Sequence, residues 1–182
     1  HTPIQGMELV PIPNMVTIRQ QYDGTKIEDV KEHMRRELEK VPDKDGYKGK
    51  RICITAGSRG IPDLDVMLRT ICNTLKEWGA QPFIIPSMGS HGGATAEGQL
   101  EMLEGYNITE ESMGVPILSS MEVVQYDELN GIPPYCDKYA YESDGLAVFN
   151  KVPPHTDFPG VHESAPAKTL ALVTRTPTGA RP

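Results

Sequence analysis

The fold is decided by residues 52–85, which read ICITAGSRGIPDLDVMLRTICNTLKEWGAQPFII. Two short apolar runs, 52–55 and 83–85, have the length and composition of buried strands. Between them, apolar residues recur at helical spacing, with Asp63 at the position of a helix cap and Gly79 at the helix end. This apolar stripe consists of Val66, Met67, Ile71, Leu75 and Trp78. A strand, a crossover helix and a second strand predict two parallel neighbours in one sheet.

The rest of the chain continues the alternation of helices and strands. Helices are predicted over residues 27–41, 95–103 and 109–113 from the spacing of their apolar residues. Short apolar or alternating runs predict strands over residues 16–19, 115–118, 121–126, 134–136 and 146–149. We therefore expect an α/β fold with a mostly parallel sheet and flanking helices.

Composition narrows the classes of function. The chain has 182 residues, 38% of them hydrophobic and 24% charged, which is typical of one globular domain. Its net charge of −7 and its lack of a basic run argue against nucleic-acid binding. No apolar run approaches the roughly 18 residues of a membrane span. Cys53, Cys72 and Cys136 match no zinc or redox pattern, so we expect reduced, buried thiols and a cytoplasmic protein.

The most informative motif is a glycine-rich loop over residues 86–98, which reads PSMGSHGGATAEG. It follows the predicted strand 83–85, carries a single histidine, His91, and opens a helix. Glycines such as Gly92 leave little side-chain bulk, so a ligand can approach the backbone closely. The helix that begins after Gly93 adds a partial positive charge for an anion.

Three loops that follow predicted strands carry polar groups suited to one small-molecule site. They contain Ser58 and Arg59, His91, and His155. If the strands are parallel, these loops lie at the carboxyl edge of the sheet, where open α/β sheets bind ligands. The Arg59 guanidinium suits a carboxylate or phosphate, and two histidines can exchange protons near neutral pH. Structural interpretations stay open, with Arg59 paired to a surface carboxylate and His155 serving only as a turn residue.

Several segments together resemble the nickel-dependent lactate racemase family. The resemblance is closest to its less characterised paralogues, long classed as a domain of unknown function. It spans roughly residues 11–168 and rests on residues 57–61 (GSRGI), 86–99 (PSMGSHGGATAEGQ), 119–121 (SSM), 154–158 (PHTDF) and 163–164 (ES). The long histidine-loop match is the most specific of these.

This resemblance implies a racemase or epimerase of a 2-hydroxy acid that uses transient hydride transfer to a nickel pincer nucleotide. It implies that His91 and His155 are the acid and base for the substrate hydroxyl, and that Arg59 lies near the substrate, with Ser58 beside it. Lys168 would carry the cofactor covalently. We assign Gly92, Gly93 and Thr95 to cofactor binding and no residue of this chain to direct metal ligation.

The chain also departs from the family pattern. Ala56 stands where lactate racemases have an acidic residue three positions before the arginine, which suggests another substrate. No histidine follows His162, so the family's nickel-ligating histidine is missing. We expect residues 1–182 to be an N-terminal α/β domain that lacks its second α/β domain and is inactive alone. An imperfect tail sequence, or loss of the metal site in this copy, is the alternative explanation of the missing histidine. Homo-oligomer formation is left open.

Two other functional classes remain as alternatives. The same loops could form a non-catalytic domain that binds a small carboxylate. A hydrolase that uses His91 as a base is the weaker alternative, because the chain has no nucleophile elbow.

Overall fold

The computed structural model describes residues 14–21, 24–57, 60–128 and 134–151. Within these ranges the helices are α1 (Val30–Leu38), α2 (Leu64–Glu77), α3 (Ala96–Glu104), α4 (Glu110–Met113) and α5 (Lys138–Tyr141). The strands are β1 (Arg51–Ala56), β2 (Gln81–Pro86), β3 (Val123–Gln125), β4 (Tyr135–Asp137) and β5 (Gly145–Ala147). Single 3-10 turns lie at Lys44–Tyr47 and Gly92–Ala94.

A parallel sheet organises the molecule. Its strand order is β2-β1-β5, and both pairs of neighbours are parallel. Cys53 of β1 lies opposite Phe83 of β2 on one side and Leu146 of β5 on the other. A parallel bridge between Ile84 and Ile117 adds a short fourth segment beside β2. The predicted α/β fold with a mostly parallel sheet and flanking helices is therefore confirmed.

The sheet is buried on both faces. Ile52, Ile54 and Ile84 pack with α2 residues such as Leu68 in the larger core cluster. Alternate residues along the same strands, including Cys53, point to the opposite face. There they form a second cluster made of Cys53, Phe83, Ile85 and Ala140 of α5. Burial on both faces explains why β1 and β2 read as continuous apolar runs.

Two strand predictions need correction. Residues 16–19 form no strand, and the side chains of Val16 and Ile18 are 80% and 83% exposed. An extended segment becomes a strand only when a neighbour accepts its backbone hydrogen bonds, and sequence pattern alone does not supply one. Residues 115–118 form only the bridge at Ile117, since Pro116 has no amide to donate.

The predicted helices form, with bounds set by local capping. Helix α1 is shorter than the predicted 27–41, because Asp29 caps its start by accepting from the Glu32 amide at 2.8 Å. Asp63 does precede α2, but it has φ 52° and its side chain makes no capping hydrogen bond. The most buried α2 residues are also displaced from the predicted stripe, as Leu64, Leu68 and Cys72 are buried with Ile71 and Leu75.

A separate two-stranded sheet flanks the main one. Strands β3 and β4 pair antiparallel, with Val124 opposite Cys136. The three cysteines are free; Cys53 and Cys72 are buried, as predicted, whereas Cys136 is half-buried. None of the described helices has the length and apolar character needed to cross a bilayer.

Candidate functional site

The carboxyl ends of the parallel strands bring three chain segments to one edge of the sheet. Gly57 and Gly60 follow β1, residues 87–95 follow β2 and residues 148–151 follow β5. His91, Gly92, Gly93 and Thr95 belong to the described part of this edge. Ser58, Arg59, His155 and Lys168 lie outside the described residues, so their predicted roles remain predictions.

A tight turn holds His91 above the end of β2. Its amide donates to the Met88 carbonyl at 3.2 Å, and its own carbonyl accepts from the Ala94 amide at 3.2 Å. Met88 is buried in the main core and therefore fixes the start of the turn. The His91 side chain is half-buried. Hydrogen bonds from both the amide and the carbonyl of His91 therefore fix the backbone that carries its imidazole.

The glycines of this loop serve two different purposes. A Cβ atom at Gly92 would overlap the Gly98 carbonyl and the Gln99 amide, so Gly92 lets the loop pack directly on α3. Gly89 and Gly93 have open space where a Cβ would lie, and both have positive φ. Of the glycines assigned to ligand approach, Gly93 has the room that this role requires, whereas the bare face of Gly92 is covered by the protein itself.

Thr95 is engaged as the cap of α3. Its hydroxyl accepts from the Gly98 amide at 3.1 Å and donates to the Gly92 carbonyl at 3.2 Å. These two bonds tie the glycine loop to the first turn of the helix. The observed role of Thr95 is therefore structural, and a contact to a cofactor remains a prediction.

Gln99 is a residue of this site that the sequence analysis did not single out. Its side chain is buried, and its amide nitrogen donates to the Gly89 carbonyl at 2.8 Å. This bond holds the first half of the loop, as Thr95 holds the second. The sequence spacing could have indicated its burial, because Gln99 lies four residues before the buried Leu103, on the helix face that packs inward.

The segment after β5 is bonded to the end of β1. The Thr55 hydroxyl, which is fully buried, accepts from the Phe149 amide at 2.9 Å. Asn150 Oδ1 then lies 3.8 Å from the position that a Cβ at Gly57 would occupy. The Lys151 ammonium lies 3.9 Å from the corresponding position at Gly60. The Lys151 ammonium is thus a positively charged group close to Gly60, the residue that follows Arg59 in the sequence.

One polar atom at this edge has no partner. The Ser87 amide donates to the Ala56 carbonyl at 2.7 Å, which places Ser87 between the ends of β1 and β2. Its hydroxyl is buried and, in the described structure, forms no hydrogen bond. Buried hydroxyls normally find a partner, so this oxygen suits a polar ligand group.

The described residues can be compared with the cofactor that the resemblance implies. They contain no group of three or more His, Cys, Asp or Glu side chains able to hold a metal ion. Gly93 has open space where a Cβ would lie, so a ligand could approach its backbone, whereas the first turn of α3 is packed against Gly92 and carries the acidic Glu97. Gly93 is therefore the described residue of this loop with room for a ligand, and binding of the cofactor implied by the resemblance remains a prediction.

Comparisons with family models, with curated proteins and with solved structures give no match for this chain.

Proposed function

We propose that this chain is the part of a 2-hydroxy-acid racemase or epimerase that supplies an acid or base to the substrate hydroxyl. The observation that carries the proposal is the meeting of three loops at the carboxyl edge of one parallel sheet. His91 is on the loop after β2, and the Lys151 ammonium lies 3.9 Å from the position that a Cβ at Gly60 would occupy. The Ser87 hydroxyl, between the ends of β1 and β2, has no hydrogen-bond partner among the described residues. A small polar anion suits this combination of groups.

Each side chain then has a defined task. Arg59 and Lys151 would hold the substrate carboxylate, because guanidinium and ammonium groups donate charge-assisted hydrogen bonds to carboxylates. His91 would take the proton from the hydroxyl on C2 as the carbonyl forms, and His155 would act in the same way from the other face. Each proton returns to the same oxygen when the hydroxyl is restored. Imidazole suits both transfers because one ring nitrogen can accept a proton and later donate it.

Two groups would position the nickel pincer nucleotide. Gly93 would lie against its phosphate, and Lys168 would hold it covalently. When bound, such a cofactor supplies acceptance and return of the C2 hydride, which avoids removal of a weakly acidic proton from carbon.

The decisive experiment measures isomerisation of 2-deuterated lactate, malate and an aldonic acid by the full-length protein made with the cofactor-synthesis proteins. We expect turnover of at least one substrate with deuterium kept at C2. The His91→Ala variant should lose about 10²–10⁴-fold in turnover, the range for removal of a general acid or base. His33→Ala, on α1 and far from the carboxyl edge, is the matched control and should keep full activity.

Several results would separate this proposal from the alternatives. Unchanged turnover in the His91→Ala variant would contradict the role of His91. Exchange of the C2 deuterium with water would contradict hydride transfer. An intact mass equal to that of the bare chain, with carboxylate binding but no turnover, would instead favour a non-catalytic binding domain.

A further inference from the structure

A cavity lies at the amino edge of the sheet, opposite the edge that carries His91. It has a volume of about 500 Å³ and opens between the α1–β1 connection, the last turns of α2, and strands β1 and β5. Its size falls in the range of small-molecule sites, roughly 300–1,000 Å³. The proposed racemase chemistry uses none of its residues, so the cavity requires its own explanation.

The inner wall of this cavity is apolar and aromatic. Ile52, Ile71 and Leu75 form a buried floor. Tyr47 and Trp78 form an aromatic side wall, with ring centroids 5.3 Å apart and planes tilted by 48°. Lys44 Nζ lies over the Trp78 ring, 5.8 Å from its centroid, so a third aromatic ring would pack on the ring edges and faces of the pair that Lys44 leaves open.

The mouth of the cavity carries charges of both signs. Lys50 Nζ lies 3.6 Å from Asp144 Oδ1, which is longer than a direct hydrogen bond. The other oxygen of Asp144 accepts from the Arg51 amide at 2.8 Å, and this bond keeps the pKa of the carboxyl below its usual value. Both side chains are about half exposed, so their ion pair contributes little and can exchange partners.

We infer that this cavity binds an α-amino acid with an aromatic side chain. The apolar floor and the Tyr47–Trp78 wall would take the ring. The ammonium would pair with Asp144 and the carboxylate with Lys50, so that each charge of the pair gains an opposite charge from the ligand. A ligand with one charge would leave one of these partners unmatched. Asp43, the other charged residue of the lining, already accepts from the Gly46 amide at 3.2 Å, so complementarity to Lys50 and Asp144 favours a zwitterion.

The cavity contains its own reporter, because Trp78 is the single tryptophan of the chain. Titration with L-phenylalanine should change Trp78 fluorescence in a saturable manner and raise the Tm. The analogues 3-phenylpropanoate and 2-phenylethylamine each lack one charge and should bind at least about tenfold more weakly, the effect of losing one charge-assisted hydrogen bond. A non-saturating signal at millimolar phenylalanine, or equal affinity for the three compounds, would overturn the inference.

Single substitutions test whether phenylalanine binds in this cavity. Lys50→Gln and Asp144→Asn should each weaken phenylalanine binding at least about tenfold, while the asparagine keeps an oxygen for the Arg51 amide. Ala147→Leu, which adds bulk to the cavity lining, should abolish binding without a change of charge. Lys40→Gln is the matched control, since Lys40 pairs with Glu37 outside the cavity. Equal affinity in all four variants would place the ligand elsewhere and contradict the inference.

Discussion

At the residue scale, Gly92 and Gly93 show that neighbouring glycines with the same backbone conformation can have different tasks. Their φ values are 63° and 66°, so both occupy the left-handed region that favours glycine. Only Gly92 faces backbone atoms of α3. Its missing side chain permits contact within the protein, whereas that of Gly93 leaves space open to a ligand.

This difference can be tested with two single substitutions. Gly93→Ala should lower the free energy of unfolding by about 1–2 kcal/mol, the cost of an L side chain in the left-handed region. Gly92→Ala carries the same cost and also forces the loop away from Gly98, so we expect about 1–3 kcal/mol more. Urea unfolding of both variants measures the difference. Equal stabilities would mean that the loop does not pack on α3 as described.

At the element scale, one buried hydroxyl, that of Thr55, joins β1 to the segment after β5 by a hydrogen bond. Thr55 accepts from the Phe149 amide at 2.9 Å, across 94 positions of sequence. Thr55→Val keeps the side-chain shape but leaves that amide without its acceptor. We expect a loss of about 1–3 kcal/mol in the free energy of unfolding.

The matched control for Thr55→Val is Thr70→Val. Thr70 is also buried, but its hydroxyl donates to the Val66 carbonyl one turn earlier in the same helix, at 2.7 Å. Its loss removes no long-range bond, so we expect a cost below about 1 kcal/mol. Equal losses in the two variants, measured by urea unfolding, would argue against a special role of the Thr55–Phe149 bond.

These contacts also explain what the sequence could and could not predict. The strands β1 and β2 and the helix between them could be predicted, because each carries its apolar pattern within a few residues. The position of His91 followed from the strand before it. The bonds of Gln99 to Gly89 and of Thr55 to Phe149 could not be predicted, since they join residues whose proximity arises only from tertiary packing. The strand predicted over residues 16–19 was wrong for a related reason, because a strand forms only beside a neighbouring strand that shares its backbone hydrogen bonds.

At the scale of the whole molecule, the two edges of the sheet differ in chemistry. The carboxyl edge is rich in glycine and polar groups around His91, whereas the amino edge opens an apolar cavity with Lys50 and Asp144 at its mouth. The core between them is continuous from α2 through β1 and β2. Both candidate sites therefore depend on the same packed sheet, and core stability affects both.

The core also predicts how the molecule responds to alkaline pH. Burial raises the pKa of the Cys72 thiol to about 11 and also raises that of Cys53. An unfolded cysteine ionises near pH 8.5, so between about pH 8.5 and 11 the unfolded chain loses a proton that the folded protein keeps. The buried, protonated thiol therefore makes its full contribution to the free energy of unfolding below about pH 8.5. This contribution is lost as the pH rises from about 8.5 to 11. From pH 7 to pH 11, Cys72 alone should account for a loss of about 3 kcal/mol.

Urea unfolding of the unsubstituted protein and of Cys72→Ala across this pH range tests the prediction. Cys72→Ala should be less stable at pH 7, because it leaves a space in the core. Its further loss of stability up to pH 11 should nevertheless be about 3 kcal/mol smaller than that of the unsubstituted protein. Tyrosine and lysine titration affects both proteins equally and cancels in the comparison. Parallel pH profiles would show that the Cys72 thiol ionises as readily in the folded protein as in the unfolded chain. That result would contradict the prediction, because burial on α2 should disfavour the charged thiolate.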